Sequence, residues 1–455
     1  MRRRPPHNRD TIVREGYPCL QPTICDAIRE FAIHCGSRTA LTFLDASGAV
    51  NIAIDYAQLD RRARACAATF RQQFRAGDRL ILALPRGLEL IEAFFGALYA
   101  GIVPVPLEHK RFLANGERMQ AMLAETAAAG LVMAEPARSA EVTIVLPEAW
   151  RETDPADWAD EPVDPQSLAF LQYTSGSISR PRGVMVGHDN LAANGLMIRR
   201  AFGLTAESTV VTWLPLFHDM GLIGTLIQPL WAGAHAVLLS PAAFLQKPLR
   251  WLEAISSFRA TISGAPDFAY DLCVRHVTAG EAAALDLSSW RVAFNGAEPV
   301  RAATLDGFAK HFAPAKFERR AFFPCYGLAE ATLFVSGARA AVDETQGRPL
   351  VSAGDPAPEL ELAVVNADLQ PVAANEVGEI LVAGPSVARG YWNRPHETAE
   401  TFAVHTAGGR GPFLRTGDLG YVSSTGQLVV TGRVKELLIV RGVNHYPHDL
   451  EATAA

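Results

Sequence analysis

Apolar residues recur at helical spacing over residues 23–35 (Ile24, Ala27, Ile28, Phe31, Ala32), which predicts an amphipathic helix. Residues 51–55 read as a strand and 56–71 as a second helix. A nearly continuous apolar strand follows at 78–84, then an amphipathic helix at 88–100 stopping at Gly101, then a strand at 102–107. Strand, helix and strand at this spacing form a βαβ unit, which implies a parallel sheet covered on both faces. Further short strands are expected at 131–132 and 142–146. The stretch 147–165, rich in Pro, Asp, Glu and Trp, reads as a surface connection.

The alternation resumes downstream. Strands are expected at 209–214, 236–239, 260–263 and 291–294, and helices at 249–257, 266–275 and 301–311. From about Pro349 the texture changes to short alternating segments (360–365, 379–382, 427–430) separated by Gly, Asp and Asn, the pattern of a small β-rich unit. The predicted class is α/β, with two parallel-sheet subdomains, flanking helices and a small β-rich subdomain.

Between the two alternating halves lies L-Q-Y-T-S-G-S-I-S-R-P-R-G-V at 171–184. An apolar strand at 168–171 runs into a loop holding Tyr173, Thr174, Ser175, Gly176, Ser177 and Ser179. Arg180 and Arg182 flank Pro181, and Gly183 follows. A phosphate cradle needs free backbone N–H groups, hydroxyl donors, glycine for close approach and fixed positive charge, and all four are present. The spacing is not that of a Walker loop. Taken alone, a Ser/Gly loop with arginines is more often a plain surface turn than a functional site.

Size and charge narrow the choice. A chain of 455 residues exceeds what one core usually serves, so two or three lobes are expected. A net charge of −6 argues against general nucleic-acid binding. The basic Met-Arg-Arg-Arg start has no apolar stretch behind it, so no signal peptide is expected. The longest uncharged run, 220–246, is broken by Gly221, Gly224, Pro229, Gly233 and Pro241, and reads as buried strands and turns rather than a membrane span. Six cysteines without C-x-x-C spacing fit reduced thiols in a cytoplasmic protein without a metal cluster.

Eight motifs then occur in order: Y-T-S-G-S at 173–177, P-L-F-H-D-M-G at 215–221, N-G-A-E-P at 295–299, Y-G-L-A-E at 326–330, G-E-I at 378–380, G-Y-W at 390–392, R-T-G-D-L-G at 415–420 and G-R-V-K-E at 432–436. The series resembles the adenylate-forming superfamily over about residues 20–455. F-H-D-M-G-L-I-G at 217–224, Y-G-L-A-E-A-T at 326–332 and N-H-Y-P-H-D-L-E at 444–451 are most similar to the fatty acyl-AMP ligases. The resemblance implies activation of a fatty acid with ATP and Mg²⁺, and transfer of the acyl group to an acyl carrier protein rather than to free coenzyme A. It implies no membrane and no nucleic-acid partner.

It also implies roles. Thr174, Ser175, Gly176 and Ser177 would hold the β- and γ-phosphates. Glu330 would ligate Mg²⁺, Tyr326 would stack on adenine and Gly327 would allow close approach. Asn295, Gly296 and Ala297 would line the adenine site. Asp418 would accept hydrogen bonds from the ribose hydroxyls, and Arg433 would contact ribose or the α-phosphate. Lys435 would stand at the hinge to a smaller domain. His218 would sit where acyl chain and nucleotide meet, and the apolar run 220–230 could wall an alkyl tunnel or simply be core. Glu330, His218 and Thr174 would carry the chemistry.

The domain expectation that follows is a large adenylation domain at 1–433, comprising α/β subdomains at about 1–165 and 166–345 and a β-barrel-like subdomain at about 346–432. Residues 434–455 would be the truncated start of a C-terminal domain. Because the family's small domain carries a lysine that bridges carboxylate and α-phosphate, this chain is expected to bind ATP and acyl-AMP but to form acyl-AMP slowly and transfer it poorly. Two departures bear on the chemistry. Ile178, Ser179 and Arg182 replace the family's usual Thr, Gly and Lys in the loop. The stretch between Thr332 and Gly354 is short for the insertion that such ligases carry, which leaves coenzyme A exclusion to other features. The rival readings are a fatty acyl-CoA ligase, an amino-acid adenylation domain, disfavoured by Phe217-His218, and a non-catalytic nucleotide-binding or docking module.

Overall fold

The structure is a computed structural model and describes residues 23–135, 142–174, 181–339, 342–343, 350–436, 438–440 and 443–445. For Thr174, 342–343, 438–440 and 443–445 it describes the backbone course alone. The first helix, Ile24–His34, starts where the Thr23 hydroxyl accepts the Asp26 N–H at 3.1 Å. The second, Tyr56–Arg71, opens on a reciprocal Asp55/Gln58 capping box.

Two sheets carry the architecture. One is a four-stranded parallel sheet in the order Val103–Pro106, Arg79–Ala83, Gly130–Met133, Thr143–Val145. The other has nine strands, in the order Asp355–Pro356, Phe334–Gly337, Phe322–Gly327, Val292–Asn295, Ile262–Ala265, Thr209–Thr212, His235–Leu238, Thr39–Leu44, Val50–Asp55. Its six middle strands, from Phe322–Gly327 to Thr39–Leu44, are parallel, and its margins are antiparallel. Strand Thr39–Leu44 therefore pairs with His235–Leu238, so the large sheet draws on both segments that the sequence divides at 165. A separate antiparallel sheet joins Glu361–Val365, Gly378–Ala383, Leu414–Val422 and Leu428–Arg433.

Helix Leu88–Tyr99 departs from its amphipathic reading. Every residue but Glu89 is buried, because Tyr56–Arg71 covers one side so closely that a Cβ on Gly96 would lie 2.5 Å from the Cys66 Cβ. Its buried Glu92 is satisfied by Arg62 at 2.6 Å and by the Trp150 indole N–H at 2.9 Å. Trp150 belongs to helix Pro147–Arg151 and is 2% exposed, so this end of the presumed surface connection is part of the core.

The run beginning at Met220 is also corrected. It forms a π-helical segment Met220–Ile227 continuing into helix Gln228–Trp231, and only then a strand, His235–Leu238. Thr225 donates to the Gly221 carbonyl at 2.7 Å inside the wide turn, and Pro229 falls in the first turn of the following helix, where its missing N–H costs nothing. Helix His188–Phe202 and strand Thr39–Leu44 have no counterpart in the sequence reading. Among the described residues, no helix is long and apolar enough to cross a membrane, and the five described cysteines are free.

Candidate active site

Parallel strands leave a crevice beyond their carboxyl ends, where ligands commonly bind. Here a cavity of about 1040 Å³ opens there, closed on its other sides by hairpin Leu168–Thr174/Arg182–Gly187 and by the antiparallel sheet. His218, Gly296, Ala297, Tyr326, Gly327, Glu330, Asp418 and Arg433 all line it, and Lys435 lies at its edge. These residues come from five separate segments and meet only in three dimensions.

Asn295 does not line the cavity. It is fully buried beneath it, and its amide donates to Asp267 at 3.1 Å. Strand Val292–Asn295 delivers Gly296 and Ala297 to the surface, and Ala297 takes φ +69°. Thr174 ends its strand opposite Arg182 in the hairpin register; its side chain, with Ser175, Gly176 and Ser177, lies outside the described residues.

In the polar half, Tyr326 donates to the Asp418 Oδ2 at 2.6 Å and Arg433 Nε stands 3.0 Å from its Oδ1. Burial pushes the Asp418 carboxyl above the usual carboxylate range, while Tyr326 and Arg433 oppose that rise. Glu330 sits on a short 3₁₀ turn, Ala329–Ala331, just past strand Phe322–Gly327. The Tyr391 hydroxyl donates to Glu330 Oε1 at 2.8 Å. Burial, reinforced by a neighbouring carboxylate in each case, raises both Tyr326 and Tyr391, so both hydroxyls keep their protons and remain donors.

Arg182 closes this network. Its guanidinium lies 5.0 Å over the Tyr391 ring, with Nε 2.9 Å from Glu397. Gln172 holds the loop that carries His218, its amide donating to the Phe217 carbonyl at 2.7 Å. Asp219, beside His218, accepts the Met220 N–H at 2.7 Å, and burial pushes its carboxyl up.

The other half of the cavity is apolar. Ile198 and Phe202 reach it from helix His188–Phe202, Met220 and Gly224 from the π-helical segment, Phe334 from the first position of strand Phe334–Gly337, and Leu333 from the bend just before it. Phe202 stacks on Phe294 at 5.7 Å and meets Phe323 and Phe334 edge-on. Of the run 220–230, Met220 and Gly224 face the cavity, whereas Leu222, Ile223, Leu226, Ile227 and Leu230 are core.

Sequence reasoning did not single out Tyr391, Glu397, Gln172, Asp219 or Phe202. Tyr391 stood inside the G-Y-W motif, which was a usable signal; Phe202 had none, because its helix was not anticipated. Among the described residues no group of three His, Cys, Asp or Glu side chains could hold a metal alone. One cavity carboxylate, Glu330, fits an ion such as Mg²⁺ that takes its remaining ligands from phosphates and water.

Residues 29–392 match a family model described as AMP-binding enzyme. The chain is 40% identical to the medium-chain-fatty-acid–acyl-carrier-protein ligase JamA of Moorena producens, over 95% of this chain and 80% of that protein. It is 37% identical to the long-chain-fatty-acid–AMP ligase FadD26 of Mycobacterium marinum, over 96% of this chain and 82% of that one. Among solved structures it resembles the fatty acyl-adenylate ligase of Legionella pneumophila in complex with acyl adenylate and pyrophosphate. That likeness has a TM-score of 0.85 and 38% identity, covering 95% of this chain and 81% of the other.

Proposed function

The chain belongs to the AMP-binding enzyme family, among its fatty acyl-AMP ligases, and from that premise we propose that it joins a fatty acid to AMP, releasing pyrophosphate, and passes the acyl group to an acyl carrier protein. The observation that carries this reading is one cavity lined both by charged side chains (Arg182, Glu330, Asp418, Arg433) and by apolar ones (Ile198, Phe202, Leu333, Phe334), with His218 also in its wall. Acyl-adenylate chemistry needs both: a site for a nucleotide and a site for an alkyl chain, held so that two mutually repelling anions align.

Within that reading, Asp418 takes the ribose hydroxyls while Tyr326 and Arg433 fix its carboxylate. Tyr326, Gly327, Gly296 and Ala297 bound the adenine. Glu330, oriented by Tyr391, holds Mg²⁺, which supplies neutralisation of phosphate charge when bound. Thr174, Ser175, Gly176 and Ser177 bind the β- and γ-phosphates, with Arg182 as the positive charge beside them; a triphosphate competes with Glu397 for that guanidinium. Asn295 acts from below, securing the Gly296–Ala297 turn through Asp267. The alkyl chain runs toward Phe202, each buried methylene contributing about 0.8 kcal/mol. Transfer goes to a carrier protein rather than to free coenzyme A, in the cytoplasm.

The test supplies the protein with ATP, Mg²⁺ and a labelled medium-chain fatty acid, adding either coenzyme A or a phosphopantetheinylated carrier protein. Acyl-AMP that persists with coenzyme A and is discharged by the carrier is expected. Rapid acyl-CoA formation assigns the protein to the coenzyme A ligases instead. Nucleotide binding without any acyl-AMP removes the enzymatic reading.

A further inference from the structure

Thr332 lies two residues beyond Glu330 and is fully buried behind the cavity wall. Its backbone stands at φ +70°, ψ −58°, and the Leu333 N–H donates to the Ala331 carbonyl at 2.9 Å. Together these define a γ-turn of the positive-φ hand, a rare and strained geometry. Among the described residues, Thr332 is the one β-branched residue at positive φ. Such a residue keeps that geometry only where its surroundings hold it.

The surroundings do hold it. The Thr332 hydroxyl donates to the Ser386 carbonyl at 2.6 Å. Asn194, buried on helix His188–Phe202, accepts the Phe334 N–H at 3.1 Å and donates to the Phe334 carbonyl at 2.8 Å. The Leu333 carbonyl accepts the Leu328 N–H at 2.9 Å. It lies so close to Gly327 that a Cβ there would come within 1.8 Å of its oxygen.

This turn separates the two halves of the cavity. Glu330 precedes it and faces the charged half; Leu333 and Phe334 follow it and wall the apolar half. The segment that receives the Thr332 hydroxyl also supplies the Ala388 N–H to the Glu330 carbonyl at 2.8 Å and the Tyr391 hydroxyl to its carboxylate at 2.8 Å. The same segment bonds strand Arg182–Gly187, through Trp392 N–H to the Gly183 carbonyl at 2.8 Å. One hydroxyl therefore latches a strained turn to the segment that orients Glu330.

We propose that Thr332 is a positioning residue: its latched turn sets Glu330 relative to the apolar wall and so couples nucleotide binding to fatty-acid binding. The proposal rests on the fatty-acid-adenylating reading. Coupling between two ligands is a ratio of affinities, separate from stability, and that ratio is what distinguishes positioning from simple packing.

Calorimetry on the full chain measures dodecanoate affinity twice, alone and with Mg²⁺ and saturating α,β-methylene-ATP; the ratio of the two affinities is the coupling. T332V keeps the shape and loses the hydroxyl bond. It is expected to bring that ratio at least about threefold closer to one. T332S, which keeps the hydroxyl, is expected to leave the ratio of the two affinities at the wild-type value. Should T332V fail to fold, T332G, which relieves the positive-φ strain but also lacks the latch, must show the same loss. A lowered melting temperature with an unchanged affinity ratio in these variants overturns the proposal. A wild-type protein that binds α,β-methylene-ATP but not dodecanoate, with or without the nucleotide, overturns the adenylating reading itself, and the coupling with it.

Discussion

Asp219, in the cavity wall, illustrates how one buried carboxylate can work against stability. Its side chain accepts the Met220 N–H at 2.7 Å and so opens the π-helical segment, yet burial lifts its carboxyl above the ordinary value of 3.8. A raised folded-state value means that the folded protein prefers the protonated form. Below the ordinary value both states are protonated and nothing is lost; as pH rises through the folded value, the charged carboxylate increasingly disfavours folding. Asp219→Asn keeps the acceptor and removes the charge. Its melting temperature relative to the wild type is therefore expected to rise between about pH 4 and pH 8. A difference that shrinks over that interval contradicts this account of the carboxyl. The motif P-L-F-H-D-M-G contains this position, but no sequence pattern states whether an Asp is solvated, and that alone decides the sign.

At the scale of elements, periodicity was reliable where an element presents one face to the core and misleading where it does not. Helices Ile24–His34, Tyr56–Arg71 and Leu249–Ser257 stand within a residue of their readings. Helix Leu88–Tyr99 and the segment Met220–Ile227 are apolar on nearly all sides, so period alone could not separate face from face, or helix from strand. Helix His188–Phe202 has Asn190 and Asn194 buried in its core-facing side, where they satisfy backbone groups of other segments, and this masks its amphipathic pattern. Its last residue supplies a prediction. Phe202 closes the apolar half against Phe294, Phe323 and Phe334. Phe202→Ala should shift the preferred fatty acid toward longer chains by roughly two to four methylenes, at about 0.8 kcal/mol for each one newly buried. Competition among labelled acids of graded length would reveal it; an unchanged preference removes Phe202 from the role of end wall.

The whole molecule depends on contacts between its two sheets. Arg86, in the turn after strand Arg79–Ala83, reaches across to the nine-stranded sheet and donates to the carbonyls of Trp213 at 2.7 Å and Thr212 at 3.2 Å. Burial draws its guanidinium below its usual range, so the tie is held in a poorly solvated place where unpaired carbonyls are costly. Arg86→Met retains much of the stem and deletes both bonds. A loss of about 2 kcal/mol is expected in urea unfolding, together with weaker nucleotide binding, since Trp213 leads into the loop of His218. Unchanged stability would show that water replaces the guanidinium without cost.

What the sequence determined by itself is the chemistry: which residue types stand ready to bind phosphate, ribose, metal and alkyl chain, and the βαβ alternation that puts loops at strand ends. Those properties are local, because a motif or a period is complete within a few turns of chain. Tertiary structure decided which of those residues share a cavity and what each one's partner is. Tyr326 and Asp418 are 92 residues apart and bond at 2.6 Å; Asn295, next to two cavity residues, is turned into the core; strand Thr39–Leu44 pairs with His235–Leu238. Such pairings are fixed by close packing and by the need to satisfy every buried polar group, and both conditions are met only by the folded chain as a whole.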